Sequence, residues 1–353
     1  MTDVGLRTRK FDPRQASSEE FAAMNVFDNR KLEESRPGDP PDDLDDTVRN
    51  WTSPPVFEER CIWITERATD GCIVARGTVT WWDIGQNRHL ADVDLYVLPE
   101  MRRRRLATPL LGRIAAAAHT AGRHLLLFVT EPSVPAGPVL MERVGAEEGL
   151  RAHTNQVNVS DVDASLMRRW QESARERASD FDLGCWDGRY PEDDIDAILE
   201  LMKVMNTAPR DDLDVEDFHL TVDEVRELER VGDLLQEERW TMYACHQPSG
   251  EFAGFTEVRY KPSHPHLVHQ GDTGVLPKFR NRGLGRWMKA AMIERVVRER
   301  PGVRYVRMGN ADSNAAMHSI NREMGFRPYK SWTIWQAETS HVMDYVRSRE
   351  VTV

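Results

Sequence analysis

The sequence predicts an α+β protein made of two copies of one fold, each a mixed, mostly antiparallel sheet flanked by helices. Three observations carry this. The stretch Gly274-Val275-Leu276-Pro277-Lys278-Phe279-Arg280-Asn281-Arg282-Gly283-Leu284-Gly285 reads as a strand end, a turn with two glycines and the start of a helix. Upstream, Leu98 to Ala107 lies over Leu276 to Gly285 without a gap, and the same offset sets Asp94 over Asp272 and Val97 over Val275. Strand-like and helix-like runs also follow one another in the same order in both halves. A repeat of about half the chain is a duplication and not a short-period solenoid. At 353 residues the chain suits two ordinary domains. We expect an N-terminal domain over 1–162, a linker helix over 163–178 and a C-terminal domain over 179–353.

In the first half the pattern predicts a strand over 6–11 and a helix from Ser18 to about Glu34. A Pro/Asp-rich loop and a short helix over 44–51 follow. Strands come next over 61–65, 73–81 and 91–97, then a helix over 107–121, a strand over 125–130, a helix over 137–144 and a strand near 156–159. After the charged linker helix, 164–178, the order repeats. A strand covers 181–186, helices cover 192–205 and 222–235, and strands cover 240–246 and 252–260. Then come the motif strand, the motif helix from Arg286 to Val297, a strand over 303–308, a helix over 314–324 and a strand over 332–336. In the motif helix Met288, Met292, Val296 and Val297 fall close to helical period. In the helix over 314–324, Met317, Ile320 and Met324 form the apolar face, and Gly325 stands where a left-handed cap is expected. A last helix is expected over 338–349. Gly77 and Gly254 stand as further echoes between the halves, as do the acidic runs at 42–45 and 211–214.

The turn at 280–285 suits an anion. First-turn amides of a helix have no internal partner and the helix dipole favours negative charge. Gly283 and Gly285 let an oxygen approach the backbone without meeting a Cβ, and Arg280, Arg282 and Arg286 add positive charge. The segment resembles the acetyl-CoA pyrophosphate motif of the GNAT N-acyltransferases, Arg/Gln-x-x-Gly-x-Gly/Ala, here Arg280, Gly283 and Gly285. Val275-Leu276-Pro277 resembles the family's strand end, and Asn310 to Phe326 its next strand end and helix, closing in Met324-Gly325-Phe326. The chain is similar to two-domain actinobacterial members, the mycothiol synthase group among them. The resemblance implies tandem GNAT folds and acetyl-CoA as co-substrate, with Val275, Leu276, Arg280, Asn281, Arg282, Gly283, Leu284, Gly285 and Arg286 binding it. In the first half Arg105 replaces the first glycine, Ala107 stands for the second, and the closing Gly-Phe becomes Gly145-Ala146. The first motif therefore reads as degenerate.

Acyl transfer from a thioester to an amine needs a neutral amine, a donor for the developing oxyanion and removal of a proton. The resemblance implies that the strand carrying Val275 offers a backbone N–H to the carbonyl, and that no metal takes part. Some relatives carry a glutamate six residues before that valine; here the position is His269, whose imidazole titrates near neutral pH. Asp272, matched by Asp94, is the other candidate base. Many relatives place a tyrosine acid five residues before the final phenylalanine. This chain has Asn321 there, and the first half has Met141. An amide donates a hydrogen bond but does not give up a proton, so Asn321 is grouped with the cofactor contacts and Tyr329 is the candidate acid. Asn314 stands either as a cofactor contact or as a plain N-cap.

Composition limits the partners. A formal net charge of −11 disfavours nucleic acid and anionic membrane. No apolar run approaches a membrane span and the N-terminus has no secretory pattern, so we expect a cytoplasmic protein. The four cysteines are isolated, which points to reduced thiols without metal or disulfide. Acidic clusters lie at 39–46 and 211–217, in a connection that the resemblance implies borders the acceptor pocket, which suits a small-molecule amine, a cationic one included; a solvated acidic loop is the alternative. A monomer or a homodimer is expected. Two other functions stay open: transfer of another acyl group or to an aminoglycoside-like acceptor, and a CoA-binding sensor or scaffold without turnover.

Overall fold

The computed structural model describes residues 5–350, with side chains to 349. In chain order its elements are β1 (Leu6–Phe11), α1 (Ser18–Ser35), α2 (Leu44–Thr52), β2 (Glu58–Arg67), β3 (Ile73–Trp82), β4 (Leu90–Val97), α3 (Ala107–Thr120), β5 (Leu125–Thr130), α4 (Ala136–Val144), β6 (Glu147–Asn158) and α5 (Ala164–Arg177). The order then repeats with β7 (Phe181–Asp187), α6 (Ile195–Met202), α7 (Val222–Leu234), β8 (Glu238–His246), β9 (Glu251–Tyr260), β10 (Leu267–Val275), α8 (Leu284–Glu299), β11 (Tyr305–Ala311), α9 (Ala315–Glu323), β12 (Arg327–Glu338) and α10 (Thr339–Glu350).

Local chemistry explains many boundaries. Ser17 with Glu20 and Thr221 with Glu224 form reciprocal capping boxes that start α1 and α7. Asp43, from the first acidic run, caps α2 by accepting from the Asp46 amide at 2.6 Å. Buried Asp46 then pairs with Arg49 at 2.7 Å, so part of that run is structural.

The chain folds into two compact units. The first holds residues up to 151, 210–216 and from 331 onward; the second holds 152–209 and 217–330. Strand order in the first unit is β1-β2-β3-β4-β5-β12, and in the second β7-β8-β9-β10-β11-β6. Each sheet is antiparallel except where β4 meets β5 and β10 meets β11. The sixth strand of each comes from the other half of the sequence: Thr333–Glu338 pair with Leu125–Thr130, and Ala152–Asn158 pair with Tyr305–Ala311. The segment 210–216 crosses in the same way. The Gln336 side chain donates to the Asp212 carbonyl at 2.9 Å, and the Asn87 side chain accepts from the Glu216 amide at 2.8 Å.

Both faces of each sheet are covered. In the first unit Leu111, Ile114 and Val346 from α3 and α10 pack with Val79, Leu126, Phe128 and Trp335, while Phe21, Met24 and Phe27 of α1 cover the opposite face against Ile62, Ile64 and Tyr96. In the second unit Met292, Ile293 and Val296 of α8 meet Trp240, Val258 and Val306. Ile195 and Ile198 of α6 meet Trp186 on the other side, where Leu201 and Val204 cover Phe255. Each fully buried aliphatic or aromatic side chain of this kind contributes roughly 1.5–3 kcal/mol relative to exposure.

One expected echo does not hold. Gly77 faces Leu95 across the β3–β4 pair, whereas Gly254 faces Val275, so Ala75, opposite Val97, is the rung counterpart of Gly254. The two glycines answer different needs. A Cβ at 77 would press on Ile114 Cδ1 of α3 at 3.0 Å, and one at 254 would meet the Gly274 carbonyl oxygen at 2.6 Å.

Candidate active site

Strand β10 meets β11 through only Leu267, Val268 and His269. From Gln270 to Val275 that edge has no strand partner, so a wedge opens with main-chain groups facing it. On its other edge β10 carries a bulge. Gln270 opposes Val258 and Thr273 opposes Thr256, leaving Gly271 and Asp272 together opposite Glu257. Glycine suits position 271 because a Cβ there would sit 3.1 Å from Glu257 Oε1. Glu257 is buried; its Oε1 accepts from Arg259 Nε at 2.8 Å and its Oε2 from the Thr241 hydroxyl at 3.5 Å. The Asp272 side chain is exposed, but the protein packed around it removes part of its hydration, and this with the Glu257 carboxylate raises its pKa, against the pull of Arg259.

Past β10, Pro277–Phe279 form a single 3-10 turn, and Asn281 and Gly283 take left-handed φ values of 65° and 87°. Gly283 begins α8 with no side-chain cap, and the first intrahelical bond runs from the Trp287 amide to the Gly283 carbonyl. The amides of Leu284, Gly285 and Arg286 are therefore left without helix partners. A Cβ on Gly285 would meet only Val275 Cγ2 and Ile320 Cδ1, both at 3.9 Å, which is ordinary contact and fits the alanine seen at the matching position 107.

The three arginines differ. Arg280 donates from Nε to the Val275 carbonyl at 3.0 Å and from Nη2 to the Thr207 hydroxyl at 2.8 Å. Arg282 is bound by Asp180 and lies over the Phe181 ring, and Arg286 pairs with Glu323 at 2.7 Å. Of the three, Arg280 alone has no carboxylate partner among the described residues.

His269 is in register with Arg307, whose guanidinium lies 4.1 Å from the centroid of the Tyr329 ring. His269 is thus the strand neighbour of a buried arginine that packs on Tyr329 and donates to Gln156 Oε1 at 2.7 Å. Asn314 accepts from the Met317 amide at 3.3 Å, which makes it the N-cap of α9. Asn321 is buried and donates to Asn310 Oδ1 at 2.8 Å, away from the glycine turn that its neighbour Ile320 meets. Sequence reasoning missed Glu257, Thr207 and Asp180. A glycine inside a strand directly before Asp272 was the available signal for the bulge.

The first unit repeats the turn and closes it with its own side chains. Arg103 and Arg105 hold φ values of 63° and 61°, so Arg105 adopts the left-handed backbone and the turn keeps its shape. Arg102 donates to the Val97 carbonyl at 3.1 Å, as Arg280 does to Val275. Its guanidinium, however, is clamped by Glu34 at 2.7 and 2.5 Å. Strand β4 has no bulge, and Asp94 is bound by Lys31 and by the buried Arg76, which hold its pKa well below the usual carboxylate range despite burial.

The profile of the Acetyltransferase (GNAT) family matches this chain twice, over residues 26–145 and 196–326. The chain belongs to the GNAT acetyltransferase family. It is built of two tandem GNAT domains, and each match spans one wedge and one turn. Among solved structures, a tandem GNAT protein from the clavulanic acid biosynthesis pathway superposes with a TM-score of 0.76 at 21% identity, covering 95% of this chain and 98% of that one. A GCN5-related N-acetyltransferase from Sphaerobacter thermophilus gives 0.64 at 16% identity, with 95% and 96% covered. A glucosamine N-acetyltransferase region of a fungal multi-domain GH3 β-N-acetylglucosaminidase gives 0.65 at 11% identity, with 94% of this chain and 38% of that one covered. These likenesses concern the fold. A search of curated protein sequences finds no significant match. GNAT membership places the chemistry with acyl transfer. Among the described residues no His, Cys, Asp and Glu side chains converge as a metal site, and no helix is long and apolar enough to cross a membrane.

Proposed function

We propose that the second GNAT domain is an N-acetyltransferase that uses acetyl-CoA and acetylates a primary amine of a small molecule by direct transfer. The observation that carries this is the uncapped start of α8 beside Arg280, whose charge is paired with no carboxylate among the described residues. The residues fit the cofactor: the amides of Leu284, Gly285 and Arg286 and the Arg280 guanidinium would hold its diphosphate, and glycine at 285 leaves the approach clear. Asn281 and Arg282 shape that turn, while Asn314 stands at the neighbouring helix start. Bound acetyl-CoA would supply an acyl thioester whose thiol leaves on transfer.

The chain's own part follows from the wedge. The free edge of β10 up to Val275 offers backbone N–H donors to the carbonyl oxygen where negative charge grows, whereas the Leu276 amide is already bound to the Ala253 carbonyl at 2.8 Å. Asp272, with its raised proton affinity, accepts a proton from the incoming ammonium and makes the amine a nucleophile. His269, in register with Arg307, and Tyr329, packed on its guanidinium, are the second pair able to carry a proton to or from the site. The test is to supply acetyl-CoA with a panel of primary amines, from linear diamines to amino sugars, and to follow thiol release and the mass of the acetylated product. We expect turnover with at least one amine and none in Gly283→Glu. Binding of acetyl-CoA with no thiol release for any amine would leave a cofactor-binding scaffold instead.

A further inference from the structure

Asn321 lines a cavity of about 250 Å³ in the second unit, and no residue of the glycine turn lines it. Asn155 and Phe326 form other walls, and Arg322 and Arg327 stand at its rim. Asn321 is only 3% exposed, and while its Nδ2 donates to Asn310, its Oδ1 is buried without a hydrogen-bond partner. Buried acceptors are almost always satisfied, so an orphan oxygen on a residue that lines a cavity points to something that donates to it once the amide turns toward that space.

The first unit is an internal control. Setting Gly325-Phe326 over Gly145-Ala146 places Met141 at Asn321, Glu142 at Arg322 and Glu147 at Arg327. Across the sheet, Asn155 faces Met308 as Trp335 faces Phe128, the fourth residue of the matching strand. In the first unit Met141 and Trp335 belong to one buried apolar cluster, and the Trp335 indole donates to Thr130, so the place is filled. In the second unit two asparagines stand there and the space is open. Both rim charges are inverted as well, from glutamate to arginine. Arg322 has no side-chain partner among the described residues, and Arg327 donates to the Phe326 carbonyl at 3.3 Å.

We propose that this cavity binds a small organic acid that also carries an O–H or N–H group. The carboxylate meets Arg322 and Arg327, the donor reaches Asn321 Oδ1, and the body lies against Phe326 and Pro328. The volume is below the roughly 300 Å³ at which drug-sized pockets begin, which keeps the ligand small. The site is independent of the acetyl-CoA reading, since it shares no residue with the turn.

The experiment is a binding titration of the full chain, by calorimetry and ligand-observed NMR, with 4-hydroxybenzoate, 4-aminobenzoate and glycolate, and with benzoate and phenol as controls. We expect one of the first three to bind at sub-millimolar concentration, and benzoate and phenol to bind at least about tenfold more weakly. Asn321→Met and Arg322→Glu, which install the first unit's own residues, should each weaken binding by about tenfold or more while circular dichroism stays unchanged. Failure of all three acids to bind, or equal binding by both variants, overturns the proposal. Loss of binding in Asn321→Met with retained binding of acetyl-CoA separates this site from the cofactor site.

Discussion

Glu34 accepts from both terminal nitrogens of Arg102, the arginine that stands in the first unit where Arg280 stands in the second. Arg102 keeps the main-chain bond of its counterpart but not its free charge. An anion bound at the first turn would have to compete with a bidentate carboxylate already in place.

The first unit should therefore not add a cofactor site. Calorimetric titration with acetyl-CoA is expected to give one site per chain, and Arg105→Gly should leave that number at one, because it does nothing to the Glu34 clamp. Two sites in the unaltered protein would show that the clamp opens.

Gly283 has φ of 87°, where a side chain is strained. Gly283→Ala should cost about 1–2 kcal/mol in chemical denaturation. Gly283→Glu should in addition lower acetyl-CoA affinity by about a hundredfold or more, since it sets a negative charge at the anion cradle. A Gly283→Glu protein that binds acetyl-CoA normally would place the cofactor elsewhere.

Asp272 titrates above the ordinary aspartate value because of its surroundings and the Glu257 carboxylate opposite the bulge. Carbon-13 NMR of its carboxyl should show this directly, and Glu257→Gln should move the midpoint down. If Asp272 has a general-base role, the acid limb of the activity profile should move down with it. A midpoint that ignores Glu257→Gln would remove the coupling.

Lys289 is buried in α8 with no carboxylate partner among the described residues; its ammonium lies 3.8 Å from Met308 Sδ and 5.6 Å from the centroid of the Phe326 ring. Burial pushes its pKa from 10.5 down to about 7. The unfolded chain then binds the proton more readily, so stability falls as pH drops from about 10.5 to about 7 and the loss is complete below that. Lys289→Met should gain stability over the unaltered protein, on the order of 4 kcal/mol at pH 6 and close to nothing at pH 11, measured by urea denaturation at both. A gain independent of pH would assign the effect to packing.

Much of this architecture is legible in the sequence because it is local. The glycine turn, the helix periods and the duplicated Leu98–Ala107 segment are short-range patterns, and the elements fall where periodicity sets them. What escapes depends on pairing. Gly271-Asp272 looks like ordinary strand until its partner Glu257 is known. Arg282 reads as one more phosphate ligand until Asp180, far away in sequence, is seen to hold it. Asn321 stands at a position whose family role suggests the thioester, and only the fold shows it facing Asn310 and a cavity. The strand exchange is invisible for the same reason: β6 and β12 have strand-like composition whichever sheet receives them.

That exchange sets an order of events during synthesis. β5 lacks its neighbour β12 until residues 327–338 have left the ribosome, although the rest of the first sheet has long since emerged. The second sheet, by contrast, can take β6 from chain already made. The earlier-made domain is therefore the later to be finished, and it waits with the Leu125–Thr130 edge unpaired. A polypeptide cut within α5 would leave six strands on each fragment, but the strand that completes each sheet would lie on the other piece, which ties the two domains into one product.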